Sequence, residues 1–293
     1  MEPPSFDLQS HSRHSDGALA PSDVVAAAAQ AGVQLLALSD HDNVDGVAEA
    51  RSAAADAGVG LVSAVEISAI DRGQSDLHIL GYLIDDRDPT LLGRLEGYRA
   101  QREGRARAMA GALRELGFAI DESGLEARTA QGKSIGRPHL AQAVVGHPAN
   151  AERLAEEQRE EASTFLEAYL IDGRPAFRPR EGPSVEESIE AIHEAGGVAI
   201  WAHPFWDISE ADAVLDTIER FRSFGIDGVE CFYPTHGPEE TTLLVDRTEQ
   251  LDLLSTGSSD FHGPVHRLFS SFRAFSTYGH KPRLGRIAGC NLR

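Results

Sequence analysis

The sequence predicts an α/β fold in which strand–helix units surround a parallel sheet, with a mainly helical domain inserted among them. Three observations carry that expectation. Short apolar runs recur along the chain, most of them ending at a His, Asp or Glu. Ala-rich, helix-favouring stretches separate them. From about residue 89 to residue 182 the strand-like runs give way to long, charged helical stretches. Alternation of the first two kinds of segment is the pattern of βα units.

In chain order, residues 6–8 form the first run and lead to His11 and to Ser15-Asp16-Gly17. Residues 35–38 lead to Asp40-His41-Asp42, residues 60–65 lead to Glu66, and residues 77–83 contain His78. Helices are expected between the earlier runs. Ser22 is the candidate N-cap, because its hydroxyl can accept from the open N–H groups of a first turn. Gly32 and Gly58 are stop signals, because glycine tolerates the left-handed conformation that ends a helix. Residues 91–116 and 151–169 read as helices of the insertion. The βα rhythm resumes with a helix at 185–195, a strand at 198–201 with His203 just beyond it, and strands at 228–232 and 251–254. The last of these leads to Ser259-Asp260-Phe261-His262. Residues 264–293 are basic, rich in Gly, Arg and Ser, and are expected to pack loosely. The expected organisation is a discontinuous domain, residues 1–88 and 183–293, around an insertion at 89–182.

Bulk properties narrow the function. The chain of 293 residues carries 46 Asp+Glu against 27 Lys+Arg, a formal charge of −19, which opposes a broad electrostatic grip on a nucleic-acid backbone. Two cysteines supply no disulfide framework. No apolar run approaches the ~20 residues that span a bilayer, and the first ten residues lack the order of a signal peptide. A soluble cytoplasmic protein with no membrane contact and no evident obligate protein partner is expected. Neither a Gly-Lys-Ser/Thr phosphate loop nor a dinucleotide fingerprint occurs, which argues against nucleoside triphosphate or NAD chemistry.

The chemistry lies in the residues that end the runs. Asp16, Glu66 and Asp260 offer carboxylates, and His11, His41, His78, His203 and His262 offer imidazoles. Parallel α/β folds build their sites at the carboxyl ends of strands. Hard oxygen and imidazole donors without thiolate suit zinc, manganese or iron, and this pool exceeds what one ion uses. Two or three divalent ions are expected. Asp260 and His262 stand at alternate positions of an extended segment, where side chains share a face. Asp40 and Asp42 flank His41 as candidates to orient its ring. His14, His147, His193, His236, His266 and His280 read as structural or surface groups, with His236 close enough to a strand end to reach the mouth. Trp201 and Trp206 bracket His203, as wall packing or as a surface for base stacking.

The motifs Asp7-Leu8-Gln9-Ser10-His11-Ser12, Ser15-Asp16-Gly17, Leu38-Ser39-Asp40-His41-Asp42, Val65-Glu66-Ile67-Ser68, Leu77-His78-Ile79-Leu80-Gly81-Tyr82, Ala202-His203-Pro204 and Ser259-Asp260-Phe261-His262-Gly263 resemble the PHP (polymerase and histidinol phosphatase) domain. Gly136-Arg137-Pro138-His139 and Phe232-Tyr233-Pro234 resemble its standalone nucleotide phosphoesterases, which include nucleoside 3′,5′-bisphosphate phosphatases and 5′-to-3′ exoribonucleases. The resemblance implies a distorted (β/α)7 barrel holding up to three ions. Carried over by motif, His11, Glu66 and Asp260 would take the first; Glu66, His78 and His203 the second; Asp16, His41 and His262 the third. Family members usually have histidine where this chain has Gln9, and an amide oxygen is the weaker ligand.

The expected function is hydrolysis of a phosphomonoester in a small nucleotide, such as a 3′,5′-bisphosphate or a nucleoside monophosphate, or trimming of short RNA 5′ ends. Bound metal lowers the pKa of water toward about 7 and so provides hydroxide at neutral pH. Asp16, His41, Glu66, His78, His203, Asp260 and His262 would act through that hydroxide. Arg137 is the candidate to grip phosphate bidentately, His139 to add a further bond, and Arg13 and Lys133 are weaker candidates. The alternatives are a histidinol-phosphate-type phosphatase and a metal-binding scaffold weakened by Gln9.

Overall fold

A computed structural model describes residues 4–72, 74–130, 135–179 and 181–290. The chain divides into two compact units, one of Met1–Glu96 with Pro183–Arg293, the other Gly97–Gly182.

The first unit is built on seven strands: β1 (Phe6–Asp7), β2 (Leu35–Leu38), β3 (Gly60–Asp71), β4 (Gln74–Tyr82), β5 (Val198–Trp201), β6 (Gly228–Phe232) and β7 (Leu254–Gly257), which neighbour one another in chain order. Beyond β7 the sheet comes back to its start. Leu8 N donates to Gly257 O at 3.3 Å, and Ser10 bridges Phe261 in parallel, so the barrel is nearly closed.

Four of the pairings are parallel, but β4 runs antiparallel to both β3 and β5. This departs from the all-parallel expectation for a simple reason. Only residues 72–73 separate β3 from β4, and a parallel return needs a crossover of a dozen or more residues. Strands β2, β5 and β6 are buried at every position, which explains why they read as continuous apolar runs.

Helices α1 (Pro21–Gln30) and α2 (Val47–Ala57) follow the first two strands. Ser22 is not the cap. Pro21 occupies the first helical position after Ala20, and the Ser22 hydroxyl donates instead to Glu49 Oε1 at 2.7 Å. Gly58 ends α2 in the left-handed conformation, at φ 71°.

The long helix α3 (Pro89–Glu115) leads into the second unit, which contains α4 (Glu122–Ala130), α5 (Arg137–Val145), α6 (Ala151–Glu157) and α7 (Ala162–Tyr169). Leu113, Phe118, Leu140, Val144, Leu154 and Phe165 form its core. The stretch 151–169, read as one helix, is two, parted at Gln158, which takes a left-handed φ of 56°. Lys133 lies outside the described residues.

The first unit is completed by α8 (Val185–Glu194), α9 (Pro204–Asp207), α10 (Ala211–Ser223) and α11 (Pro238–Gln250). Ser184 caps α8 in a reciprocal box with Glu187, each side chain accepting from the other's backbone N–H.

The C-terminal stretch is not loosely packed, contrary to the compositional expectation. Phe269, Phe272, Phe275 and Ile287 are buried, and Phe272 stacks on Phe261 with centroids 4.2 Å apart. Arg273 donates from Nε to Pro4 O at 2.6 Å and from Nη1 to Ala31 O at 2.8 Å. Phe275 packs on Phe6 of β1 with centroids 5.7 Å apart, and this spacing of aromatic residues three apart is masked in sequence by the surrounding basic residues. Among the described residues no helix is long and apolar enough to cross a membrane.

Candidate metal centre

All eight side chains singled out as ligands converge on one end of the barrel unit. Glu66, at a fully buried position in β3, is the hub. Its Oε2 lies 3.0 Å from His11 Nε2 and 3.7 Å from His41 Nδ1. Its Oε1 lies 2.8 Å from His78 Nδ1 and 3.4 Å from His203 Nε2. Asp260 Oδ1 is 3.1 Å from His11 Nε2. Asp16 reaches His262 Nε2 at 3.4 Å and His41 Nε2 at 3.7 Å. The cluster has a sealed floor of His11, Glu66, His203 and Asp260. Its open rim is marked by Asp16, whose side chain is 41% exposed.

Ligand atoms of His11, Glu66 and Asp260 lie within 4.8 Å of one another, as do those of His41, Glu66 and His78, and those of His11, Asp16, His41 and His262. His78, His203 and Glu66 make a further triangle, closed by the 3.2 Å between His78 Nδ1 and His203 Nε2.

Three features show that this set fits divalent cations. His11 Nε2, His41 Nδ1 and Asp260 Oδ1 are buried inside the cluster and make no hydrogen bond. Such an atom costs about 1–3 kcal/mol if nothing satisfies it, and cations bound in the cluster would satisfy them. The charge states of His41 and the carboxylates suit metal as well, whereas His11 and His203 would give up a proton on binding an ion. Burial drives His41 down to about 4 against the pull of Glu66 and Asp16, which leaves a neutral imidazole with a free lone pair. Burial opposes charge on Glu66, yet the neighbouring His41 and His78 rings hold its carboxyl well below the usual range. At the rim, the crowding of Asp16 by its neighbours opposes its charge, yet His41 and His262 hold its carboxyl well below the usual range. For His11 burial works against the proton, but Asp260 and Glu66 raise it well above an ordinary histidine. Asp207 and Glu66 do the same for buried His203.

The third feature is backbone strain. His203 and Asp260 take left-handed φ values of 30° and 53°, and Asp42 beside His41 takes 48°. Conformations of this kind cost about 1–3 kcal/mol each and persist where the surroundings enforce them.

Those surroundings are a layer of buried polar groups behind the ligands. Asp40 accepts from Ser12 N, Ser12 Oγ and Ser15 Oγ, each at 2.7 Å, and so shapes the loop that carries His11 and Asp16 instead of orienting His41. Gly17 completes that loop, since a Cβ there would lie 2.1 Å from His11 O. Asp42 accepts from Ser68 N at 3.0 Å. Tyr233 Oη donates to Asp260 Oδ2 at 2.7 Å. Glu230 takes His203 N at 2.9 Å and Ser258 Oγ at 2.6 Å, and burial pushes its carboxyl up to about 8. Gln9 is fully buried; its Nε2 donates to Glu66 Oε2 at 3.0 Å and its Oε1 accepts from Ser258 Oγ at 3.3 Å.

Sequence reasoning missed Glu230, Tyr233 and Ser258. A carboxylate inside the apolar run Gly228–Phe232 was the available signal, because a buried acid needs partners. His236 stays out of the cluster, with Nδ1 3.2 Å from Cys231 O and its ring against Phe205. His193 pairs with Asp227 at 2.8 Å, and His147 accepts from Ala149 N. Arg13 is exposed. Arg137 and His139 belong to the helical unit, in the first turn of α5, where His139 Nδ1 accepts from Gly136 N at 3.0 Å.

Residues 7–170 match the PHP domain. The chain belongs to the PHP family. A Chromobacterium violaceum 3′,5′-nucleoside bisphosphate phosphatase is 33% identical to this PHP protein over 89% of the chain and 88% of its own. A Haemophilus influenzae 5′-3′ exoribonuclease is 34% identical over 88% and 90%. A Bifidobacterium adolescentis protein, solved as a metal-dependent phosphoesterase, superposes with a TM-score of 0.72 at 29% identity, covering 91% of each chain. The PHP barrel and the class of activity follow together: this chain is a metal-dependent phosphoester hydrolase.

Proposed function

We propose that this PHP enzyme removes a phosphate from a small nucleotide, a nucleoside 3′,5′-bisphosphate or monophosphate, or trims short RNA from its 5′ end, using two or three divalent ions. The observation that carries the reading is the orphaned pair His11 Nε2 and Asp260 Oδ1, 3.1 Å apart in a sealed floor, with Glu66 Oε2 3.0 Å from His11 Nε2. His11, Glu66 and Asp260 would hold one ion; Glu66, His78 and His203 a second; Asp16, His41 and His262 a third. Manganese, iron and zinc all suit these donors. Bound there, the ions would supply hydroxide at neutral pH and neutralise phosphate charge.

The protein's own part is to hold its donors ready. Tyr233 fixes Asp260, Asp40 fixes the His11 loop, and Glu230 fixes the backbone at His203. Asp16, His41, His78 and His262 form the open side from which a phosphate enters. Arg137 and His139, chosen on sequence, would add donors to the phosphate. The charge of −19 favours a small nucleotide over a long polyanion, which meets repulsion away from the ions.

The test is phosphate release with manganese from 3′-phosphoadenosine 5′-phosphate, AMP, oligoribonucleotides and histidinol phosphate. Turnover of the nucleotides, lost with chelator and with Glu66→Gln, is expected, together with a raised KM in Arg137→Ala. Preference for histidinol phosphate would overturn the substrate class, and metal uptake without turnover on any ester would make the protein a scaffold.

A further inference from the structure

Beside the open rim stands an aromatic surface that the chemistry above does not use. Trp201, facing the core, is fully buried, whereas Trp206 in α9 is 51% exposed. The Trp206 ring is pinned edge-to-face by Phe269 at 5.6 Å and 61° and by Tyr233 at 6.5 Å and 70°, and half its surface remains open to solvent. Phe269 and Tyr233 contact each other at 5.7 Å. His266 stacks on Phe269 at 5.2 Å and 12° and on His262 at 5.1 Å and 30°.

The surface is ordered and continuous with the candidate ligands. His266 Nδ1 accepts from Phe269 N at 3.0 Å, and His262 N donates to Phe269 O at 2.9 Å, which closes the loop between them. Tyr233 touches His203 at 5.3 Å and hydrogen-bonds Asp260, while Trp206 N donates to His203 O at 2.9 Å. Trp206 is thus held three residues from one candidate ligand and shares neighbours with two more. A large, half-open ring of this kind is the surface on which a planar base stacks, whatever its hydrogen-bonding edge.

We infer that Trp206, backed by Phe269 and Tyr233, is a stacking site for the base of the nucleotide whose phosphate binds at the Glu66 cluster. This rests on the nucleotide reading above and adds to it a purine-tolerant subsite that gives affinity with little base preference. Continuity with the cluster selects the occupant: a molecule with an anionic group at the rim and a flat apolar group beside it satisfies both surfaces.

The chain has two tryptophans, so intrinsic fluorescence reports the site directly. AMP should quench the emission of the wild-type protein, with or without added manganese, and ribose 5-phosphate should not. Trp206→Phe should abolish the AMP-dependent quench, because only buried Trp201 then emits. In turnover, the ratio of kcat/KM for AMP to that for ribose 5-phosphate should fall about tenfold or more in Trp206→Ala and largely recover in Trp206→Phe. An unchanged ratio, or quenching retained in Trp206→Phe, would overturn the assignment. So would emission that shifts with protein concentration and not with AMP, which would mark a self-association face. The two readings separate cleanly: quenching by AMP without phosphate release from AMP, 3′-phosphoadenosine 5′-phosphate or oligoribonucleotides would spare the base site and defeat the nucleotide phosphoesterase, and equal turnover of AMP and ribose 5-phosphate without quenching would do the reverse.

Discussion

Replacing Gln9 measures how far an outer partner controls this metal centre. Its Nε2 donates to Glu66 Oε2 at 3.0 Å, and Glu66 is the carboxylate common to two of the proposed ion sites. A hydrogen bond to an ionised group contributes about 1.5–3 kcal/mol. Removing a partner that orients a ligand lowers metal affinity by about 10- to 100-fold. The two figures agree, since about 1.4 kcal/mol corresponds to a tenfold change. Gln9→Ala should therefore weaken manganese binding by about one to two decades. Gln9→His, which sets an imidazole where the amide stands, should bind manganese at least as tightly as the parent, because nitrogen can ligate where the amide only supports. Competition against a metal-sensitive chelator dye, with circular dichroism to verify folding, reads both. Unchanged affinity in Gln9→Ala would refute the supporting role. A Gln9→His variant as weak as Gln9→Ala would refute the claim that this position faces the ion.

Two further outcomes follow from the geometry. Gly17→Ala must displace the His11 backbone carbonyl, which a Cβ would approach to 2.1 Å, so the variant should fold with reduced metal occupancy or lose Tm by several degrees; a variant with parental Tm and occupancy would contradict the close approach. The pH dependence of the metal-free protein near neutrality comes from groups raised in the folded state, buried Glu230 at about 8 and two histidines among them. His11 and His203 stand well above their unfolded value of 6.5, so their stabilising effect is complete below that pH and fades as pH rises through their folded values. Metal displaces those protons, so the Tm gain on adding manganese should grow from pH 6 to pH 8 in a thermal-melt series, and a gain that shrinks over this range would refute the protonation pattern.

Most of the ligand set was legible because His11, His41, His203, Asp260 and His262 follow strand ends, which show in sequence as the close of an apolar run. Glu66 and His78 instead lie inside β3 and β4, which extend beyond the expected runs. Asp7 to His11, Leu38 to Asp42 and Ser259 to His262 each join a buried strand to its ligands within a few residues. Direction was not legible for β4. Apolar runs look the same whichever way a strand runs, and only the two-residue link from Asp71 to Gln74 distinguishes a hairpin from a crossover. Asp40 was placed with the wrong partner for a related reason. Adjacency to His41 is visible in sequence, whereas the contact with Ser12 and Ser15, more than twenty residues away, exists only once β1 and β2 pair. The C-terminal phenylalanines were hidden because their partners, Phe6 and Phe261, lie at distant points of the chain.

Glu66 and its neighbours must hold the cations that make phosphate ester hydrolysis possible. The most direct measurement is to strip the protein of metal, add back manganese in steps, and follow bound metal and phosphate release from 3′-phosphoadenosine 5′-phosphate together. No release at zero metal, saturation at two or three ions per chain, and loss of release together with the ions that Glu66 holds in Glu66→Gln are expected. Equal turnover in the stripped protein, or full metal binding in Glu66→Gln, would contradict this.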